Sequence, residues 1–487
     1  MKRQVQRLGF ALMALFVALF AQLNYVQVVR ANKLNRDPRN TRVATRDFAR
    51  PRGFVQTSDG AVVARSVPAN DAFKRRREYP EADLFAHITG YFSFTYGTEG
   101  VERTYNSELA GRSVSVKFRR LGDIGKALSG DQATGNLTLS ISKRLQQVAR
   151  DALGPRRGSV VALNPQNGEI LAMWSFPSFD PNPLADHSQQ VVRDAWQRLQ
   201  TDATQPLLPR AFRRRYAPGS TFKVVTASAA LDRKPELATK AYPVLSQLDL
   251  PQTTRSLPNF GGGRCGGTLP QLLKVSCNTG FAQMGLDLGA ENLVAEADNF
   301  GFNKRAPIDE PVVAPSVFPD VATFKRNLPA LAQSAIGQQD VAATPLQMAL
   351  VAAAIGNKGV AMKPHVMREI RDDQGAKIGG YDVGEWLRAT SPETAASVRD
   401  MMIGVVNGGT ATRAAIPGVQ VAAKTGTAQT TGNDAHAWLI GFAPADNPTV
   451  AVAVIVESQP GVSEATGGRV AAPIARTVMQ AALSGAP

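Results

Sequence analysis

Three short motifs in a fixed order constrain this chain more than any other feature: Ser220-Thr-Phe-Lys223, then Ser276-Cys-Asn278, then Lys424-Thr-Gly426. The first follows Tyr216-Ala-Pro-Gly219, where Pro and Gly end one element before Ser220 opens a helix. Residues three apart on a helix share a face, so Ser220 Oγ and Lys223 Nζ can approach each other. A serine hydroxyl is a poor nucleophile until a base takes its proton. A lysine becomes that base when burial or a second cation lowers its pKa. Val224, Val225, Ala227, Ala230 and Leu231 make the helix after Ser220 apolar enough to be buried. An S-x-x-K alone says little, because Ser140-Ile-Ser-Lys143 is another, with no Pro-Gly before it. S-x-N and K-[ST]-G each occur once, and their order after Ser220 carries the specificity.

The other two motifs supply what the first lacks. Ser276 falls in a stretch that reads as helix, from which it could relay a proton to the Ser220–Lys223 pair. Asn278 could hold a substrate amide and orient Lys223. Lys424 falls on a candidate edge strand, where Gly426 lets a ligand approach the backbone. Thr427 then offers its hydroxyl, and the backbone N–H groups of Ser220 and Thr427 would form an oxyanion hole.

The compartment is read from the N-terminus. Residues 8–29 carry no charge. At about 1.5 Å per residue they can cross a roughly 30 Å hydrocarbon core. Lys2, Arg3 and Arg7 precede them, which favours a cytoplasmic tail of residues 1–7 and an uncleaved anchor over a signal peptide. No second long apolar run follows, so the rest of the chain is expected outside the cytoplasm. The net charge of +15 then fits an anionic cell-surface polymer more economically than nucleic acid, for which no recognisable motif exists. Four scattered histidines and two cysteines, with no HExxH or CxxC, give no metal site, and no cofactor is expected.

Residues 30–155 read as a small β-rich module, with β-like stretches at 60–64 and 113–118. Residues 156–487 read as one α/β (α+β) domain. Its hairpin at 158–177 turns on Asn-Pro-Gln-Asn-Gly, and apolar runs at 437–443 and 449–457 flank a second turn. A third strand is expected at 421–428, helices at 221–231, 269–286, 345–355 and 394–406, and a final helix at 472–483. The antiparallel sheet is thus assembled from both chain ends, with helices between.

The ordered trio matches the signature of the penicillin-recognising serine acyltransferases. The chain resembles a class B penicillin-binding protein, a peptidoglycan D,D-transpeptidase, of the short actinobacterial type. Four further segments carry the resemblance: Arg52-Gly53 with Asp59-Gly60; Gly97-Thr-Glu-Gly-Val-Glu102 with Tyr105-Asn106 and Leu109-Ala-Gly111; Gly168-Glu-Ile-Leu-Ala172 with Phe179-Asp-Pro-Asn182; and Ser334-Ala-Ile-Gly-Gln338. The resemblance implies that residues 30–155 are a pedestal or dimerisation-like module, short for the family. It also implies that the extra C-terminal modules of some relatives are missing. Ser220 would attack the D-Ala-D-Ala carbonyl of a stem peptide, and an amine from another stem would resolve the acyl-enzyme. Lys424, Thr425 and Thr427 would receive the donor's terminal carboxylate. Implied partners are stem peptides, a lipid-linked precursor, β-lactams and a membrane glycosyltransferase.

Several alternatives share these motifs. A D,D-carboxypeptidase replaces the amine with water, a β-lactamase hydrolyses the drug, and a β-lactam sensor or scaffold uses the acylation only as a signal. Cys265 and Cys277 are either a disulfide bracing the loop beside Ser276 and Asn278, or two separate thiols.

Overall fold

The computed structural model describes residues 2–25, 48–113, 134–309, 313–429, 435–458 and 466–485. Most of the expected stretch at 113–118, the residues 26–29 of the anchor and the start of the following module lie outside the described residues. Two compact units are present: residues 1–51 with 66–76, and residues 52–65 with 77–487. In the first unit, Lys2–Asn24 is a continuous helix, and 6–24 is apolar and exposed along its length. Phe48 and Phe73 meet edge to face in the same unit.

The second unit is built on a five-stranded antiparallel sheet. Its strand order is Ala422–Gln429, Ala435–Ala443, Val450–Val456, Gly158–Leu163, Ile170–Phe176, so both chain ends contribute as expected. Gly158–Leu163 and Val450–Val456 are buried along their whole length, which explains their near-continuous apolar sequences. Helix Pro345–Gly356, of which all but the last residue is buried, packs on this sheet, as do Lys143–Leu153 and the final helix Ala472–Leu483. Ala422–Gln429 is left at the edge, with no strand paired to its outer side among the described residues.

A second sheet joins distant parts of the unit. Asn136–Leu139 pairs in parallel with Val55–Gln56 and antiparallel with Met367–Arg371. Buried side chains hold this region. Arg52 donates to both a carboxylate oxygen and the carbonyl of Glu102, and Arg77 donates to the other oxygen at 2.5 Å. Arg52 also reaches Asn106 at 2.7 Å. Asp59 accepts from the Thr57 hydroxyl and from the N–H groups of Arg144 and Lys143 at the start of Lys143–Leu153, and against the effect of burial these hydrogen bonds hold its carboxyl down at about 2. The motif residues Arg52, Asp59, Glu102 and Asn106 therefore act structurally. So does the decoy pair: Ser140 Oγ donates to Ile170 O, while Lys143 pairs with Glu81.

One expected element differs. The stretch 269–286 is two helices, Leu269–Val275 and Asn278–Leu288, and Ser276 stands in the break with a left-handed φ of 60°. Thr268 and Gln271 form a capping box at the first helix's start. Ser276 closes that helix as its C-cap, and Cys277 is disulfide-bonded to Cys265, with Cα atoms 5.7 Å apart. Ser276 is thus on a corner rather than on a helix face.

Candidate active site

Ser220 lies in the single turn Gly219–Phe222, immediately before helix Lys223–Arg233. Three ties fix that turn. Trp438 Nε1 donates to Ala217 O at 3.1 Å. Tyr216 exchanges backbone hydrogen bonds with Ala343, and its hydroxyl donates to Glu457, which also pairs with Arg210 and Arg157. Gly219 N donates to Gly337 O at 2.9 Å. Gly337 has φ 73°, and a Cβ there would stand 2.2 Å from Gly219 O. Only glycine brings the two backbones this close, which gives the Ser334-Ala-Ile-Gly-Gln338 segment a physical role.

Behind Ser220, two lysines are fully buried. Lys223 Nζ donates to Ser276 O and to Asn278 Oδ1, each at 2.7 Å, and lies 3.4 Å from Ser276 Oγ. Lys424 Nζ donates to Ser276 Oγ at 2.8 Å and to Thr425 O at 2.8 Å. Neither lysine has a carboxylate among these partners. Burial, with the Lys424 charge adding to it, holds Lys223 well below the usual lysine range. Burial alone lowers Lys424 to about 7. Desolvation disfavours an ammonium, and two neighbouring ammoniums disfavour each other, so both lysines give up a proton more readily than free lysine.

The corner at Ser276 makes this meeting possible. Its left-handed backbone directs the carbonyl to Lys223 while Oγ reaches Lys424. Asn259 Oδ1 accepts from the N–H groups of Asn278 and Thr279, both at 3.0 Å, and so caps the next helix from outside it. The Cys265–Cys277 disulfide ties the same loop to this corner.

The edge strand supplies the opposite wall. At Gly426 a Cβ would lie 2.9 Å from Pro218 O and 2.9 Å from Thr221 Cγ2, so a side chain would push the strand off the Ser220 turn. Thr425 Oγ1 shares a 2.5 Å hydrogen bond with Thr410 Oγ1. Ser220, Ser276, Asn278, Thr425, Gly426 and Thr427 all line one cleft of about 1400 Å³. Among its described lining residues are four arginines and no acidic side chain.

All eight expected site residues are therefore brought together. Ser220 Oγ itself makes no hydrogen bond among the described residues, because Lys223 is occupied by Ser276 and Asn278. Sequence reasoning missed Asn259, Thr410 and Trp438. Asn259 sits in Pro258-Asn259-Phe260 before a Gly-rich run, a turn signal that does not reveal its long-range capping role.

Comparison with known proteins agrees with this geometry. Residues 158–480 match the penicillin binding protein transpeptidase domain, and residues 52–137 match the penicillin binding protein A dimerisation domain. The chain is 41% identical to the peptidoglycan D,D-transpeptidase PbpA of Mycolicibacterium smegmatis over 99% of both chains. It is 39% identical to the protein of the same name from Mycobacterium tuberculosis, over 100% of both. Among solved structures, the ceftriaxone acyl-enzyme complex of M. tuberculosis penicillin-binding protein A superposes with a TM-score of 0.84 at 38% identity. That match covers 90% of this chain and 100% of the other. With the three motifs meeting in one cleft and both family domains in place, the chain belongs to the penicillin-binding protein transpeptidases.

Proposed function

We propose that this protein is a peptidoglycan D,D-transpeptidase acting through a Ser220 acyl-enzyme. The observation that carries the reading is the pair of buried lysines meeting at the Ser276 hydroxyl, with Ser220 on the cleft surface above them. Neutral Lys223 takes the Ser220 proton as Oγ attacks the carbonyl of the penultimate D-Ala. The oxyanion forms against the backbone N–H groups of Ser220 and Thr427, whose donors are fixed before the reaction begins. Ser276, accepting from Lys424 and within reach of Lys223, passes a proton toward the departing amine. Lys424, Thr425 and Thr427 receive the donor's terminal carboxylate. Asn278 holds a substrate amide and orients Lys223, and Gly426 keeps the edge strand close enough for the peptide to add alongside it.

An amine from a second stem peptide then displaces Ser220. The helix Lys2–Asn24 serves as a single membrane anchor that keeps the catalytic unit at the outer face. A polytopic glycosyltransferase working on lipid-linked precursor fits as the supplier of glycan strands.

The test is covalent labelling of the full chain in detergent by a fluorescent penicillin, with Ser220→Ala as the control. Stable label on the wild type alone is expected. Drug consumption without lasting label favours a β-lactamase, and an intact drug with no label sinks the acyl-transfer reading.

A further inference from the structure

The hairpin joining Val62–Pro68 to Arg75–Glu78 lies outside the catalytic cleft and carries the basic run Lys74-Arg75-Arg76-Arg77. The run divides in two. Arg77 is buried on Glu102 at 2.5 Å, and across the hairpin Arg65 pairs with Glu78 at 2.8 Å. Lys74, Arg75 and Arg76 have no carboxylate partner among the described residues, and Lys74 and Arg76 are exposed. The single acidic residue between Ser66 and Arg76 is Asp71, whose carboxylate accepts from the Phe73 N–H at 3.0 Å. The bend is held by its backbone: Ala69 N donates to Lys74 O at 2.8 Å, and Lys74 N donates to Asp71 O at 3.0 Å. Lys74 takes a left-handed φ of 59° there, which glycine or asparagine adopts more easily. Three adjacent cations are thus presented on one fixed tip.

The connectivity says what lies nearby. Residues 66–76 belong to one compact unit with residues 1–51, and Phe73 meets Phe48 edge to face at 6.0 Å. Residues 25–47 join Phe48 to the end of the apolar helix Lys2–Asn24, and even fully extended they reach no farther than about 80 Å. In that joining sequence Arg30, Lys33, Arg36, Arg39, Arg42 and Arg46 outnumber Asp37 and Asp47. Lys and Arg directly beyond an anchor oppose the orientation that puts the catalytic unit outside. An anionic surface on that side offsets the opposition.

We propose that the hairpin tip Phe73–Arg76 is a docking surface for the anionic headgroups of membrane phospholipids, holding its unit down on the bilayer that the anchor crosses. The inference rests on reading Lys2–Asn24 as a membrane anchor. Three adjacent cations with no pocket around them suit a diffuse layer of phosphate charge rather than one fitted small ligand.

The experiment reconstitutes the full chain in nanodiscs of phosphatidylcholine alone, or of phosphatidylcholine mixed with phosphatidylglycerol. Cys265 and Cys277 are joined, so Ala72→Cys supplies the single free thiol for an environment-sensitive fluorophore. Nitroxide-labelled headgroups quench that fluorophore on contact. Quenching should be strong in the anionic discs, weak in the neutral ones, and lost as salt rises. The salt series needs no charge substitution, so it stands whether or not a variant folds. Each basic residue near an anionic surface is worth about fivefold in binding, so Lys74→Gln, Arg75→Gln and Arg76→Gln together should lower the docked-to-undocked ratio by about 100-fold. The charge-keeping set Lys74→Arg, Arg75→Lys and Arg76→Lys should quench like the wild type. Equal quenching in both lipids, or quenching that survives neutralisation or high salt, overturns the inference. No quenching in either lipid also overturns it and leaves the tip to solvent or a protein partner. A wild type that fails to enter the discs at all overturns the anchor reading as well.

Discussion

Lys424 Nζ donates to Ser276 Oγ at 2.8 Å, and Lys223 Nζ approaches the same oxygen at 3.4 Å. One hydroxyl therefore bridges two buried lysine side chains, and the proton count of the three groups controls the reaction. Lys223 must be neutral to act, so acylation should rise as pH rises through its lowered pKa. Lys424 must be charged to hold a carboxylate, and in the free enzyme it loses its proton through about pH 7. The pH profile of kcat/KM for acylation should be a bell whose alkaline limb lies near 7, far below a free lysine. Lys424→Arg keeps the charge at every accessible pH and should remove that limb. A profile flat from pH 6 to 9 would contradict the assignment.

Ser276→Ala deletes the bridge without touching either lysine's position on its own element. Lys223 retains Ser276 O and Asn278 Oδ1 as acceptors, but Lys424 loses one of its two. Acylation should fall by about 100-fold or more, the size expected for loss of a proton-transfer group. Thermal stability should change little, because the deleted hydroxyl is only half-buried. Stopped-flow acylation by a chromogenic cephalosporin separates the two effects.

Stability should also carry the lysines' signature. A buried lysine with a lowered pKa binds fewer protons when folded than when unfolded, so stability rises with pH across the window from about 7, for Lys424, to the free-lysine value of 10.5. Lys424→Met removes the desolvated ammonium and should raise stability at pH 7 by about 1–2 kcal/mol while abolishing acylation. Its denaturation midpoint should lose part of the wild-type slope between pH 7 and 10. A variant no more stable than the wild type at pH 7 would show that Lys424 is not held at a cost.

The disulfide gives a separate handle. Cys265 and Cys277 close a short loop, with a sequence separation of 12, and loop-closure entropy for that length is worth about 3 kcal/mol in the chain-entropy account. The bridge abuts the Ser276 corner, so the Cys265→Ser, Cys277→Ser double variant should lower Tm and slow acylation together. Measurement below the new Tm, with the folded fraction checked by circular dichroism, tests whether acylation falls beyond the loss of folded protein. An unchanged rate per folded molecule would show that the corner holds without its tether.

The sequence made the catalytic sheet legible because its strands are short apolar runs bounded by clear turn residues such as Asn164-Pro-Gln-Asn-Gly168. The final helix likewise matched its small-residue, helical-period pattern from 472 to 483. The break at Ser276 was not legible. No Gly or Pro marks it, and its left-handed backbone is stabilised by Lys223, Lys424 and a disulfide that are remote in sequence. The same holds for Asn259, Thr410 and the pairing of Asn136–Leu139 with Met367–Arg371, which exist only after distant segments meet. The candidate site residues were readable because the chemistry proposed for them fixes their types, whereas their supports are fixed by three-dimensional packing.

Gly337 tests that distinction between catalytic residue and support. Its φ of 73° disfavours any side chain, and a Cβ would press on Gly219 O at 2.2 Å and Phe222 Cβ at 2.7 Å. Gly337→Ala should cost about 1–3 kcal/mol and displace the turn that carries Ser220. A displacement approaching 1 Å at a nucleophile is worth about 100-fold in rate. Labelling by penicillin should therefore slow markedly in protein that remains folded.

Glu102 should behave in the opposite way. Its carboxylate is fully buried and bridges Arg52 and Arg77, and these two guanidiniums overcome the burial penalty to hold its pKa below the ordinary value. Glu102→Gln leaves two buried guanidiniums without a counter-charge. Breaking such a pair typically costs about 3–5 kcal/mol. The expected result is a large fall in Tm and folded yield. Glu102 does not line the cleft, so acylation per folded molecule should match the wild type. The triple variant Arg52→Met, Arg77→Met, Glu102→Gln removes the stranded charges and should recover part of the lost stability. If that variant were no more stable than Glu102→Gln alone, uncompensated charge would not be the cause of the loss.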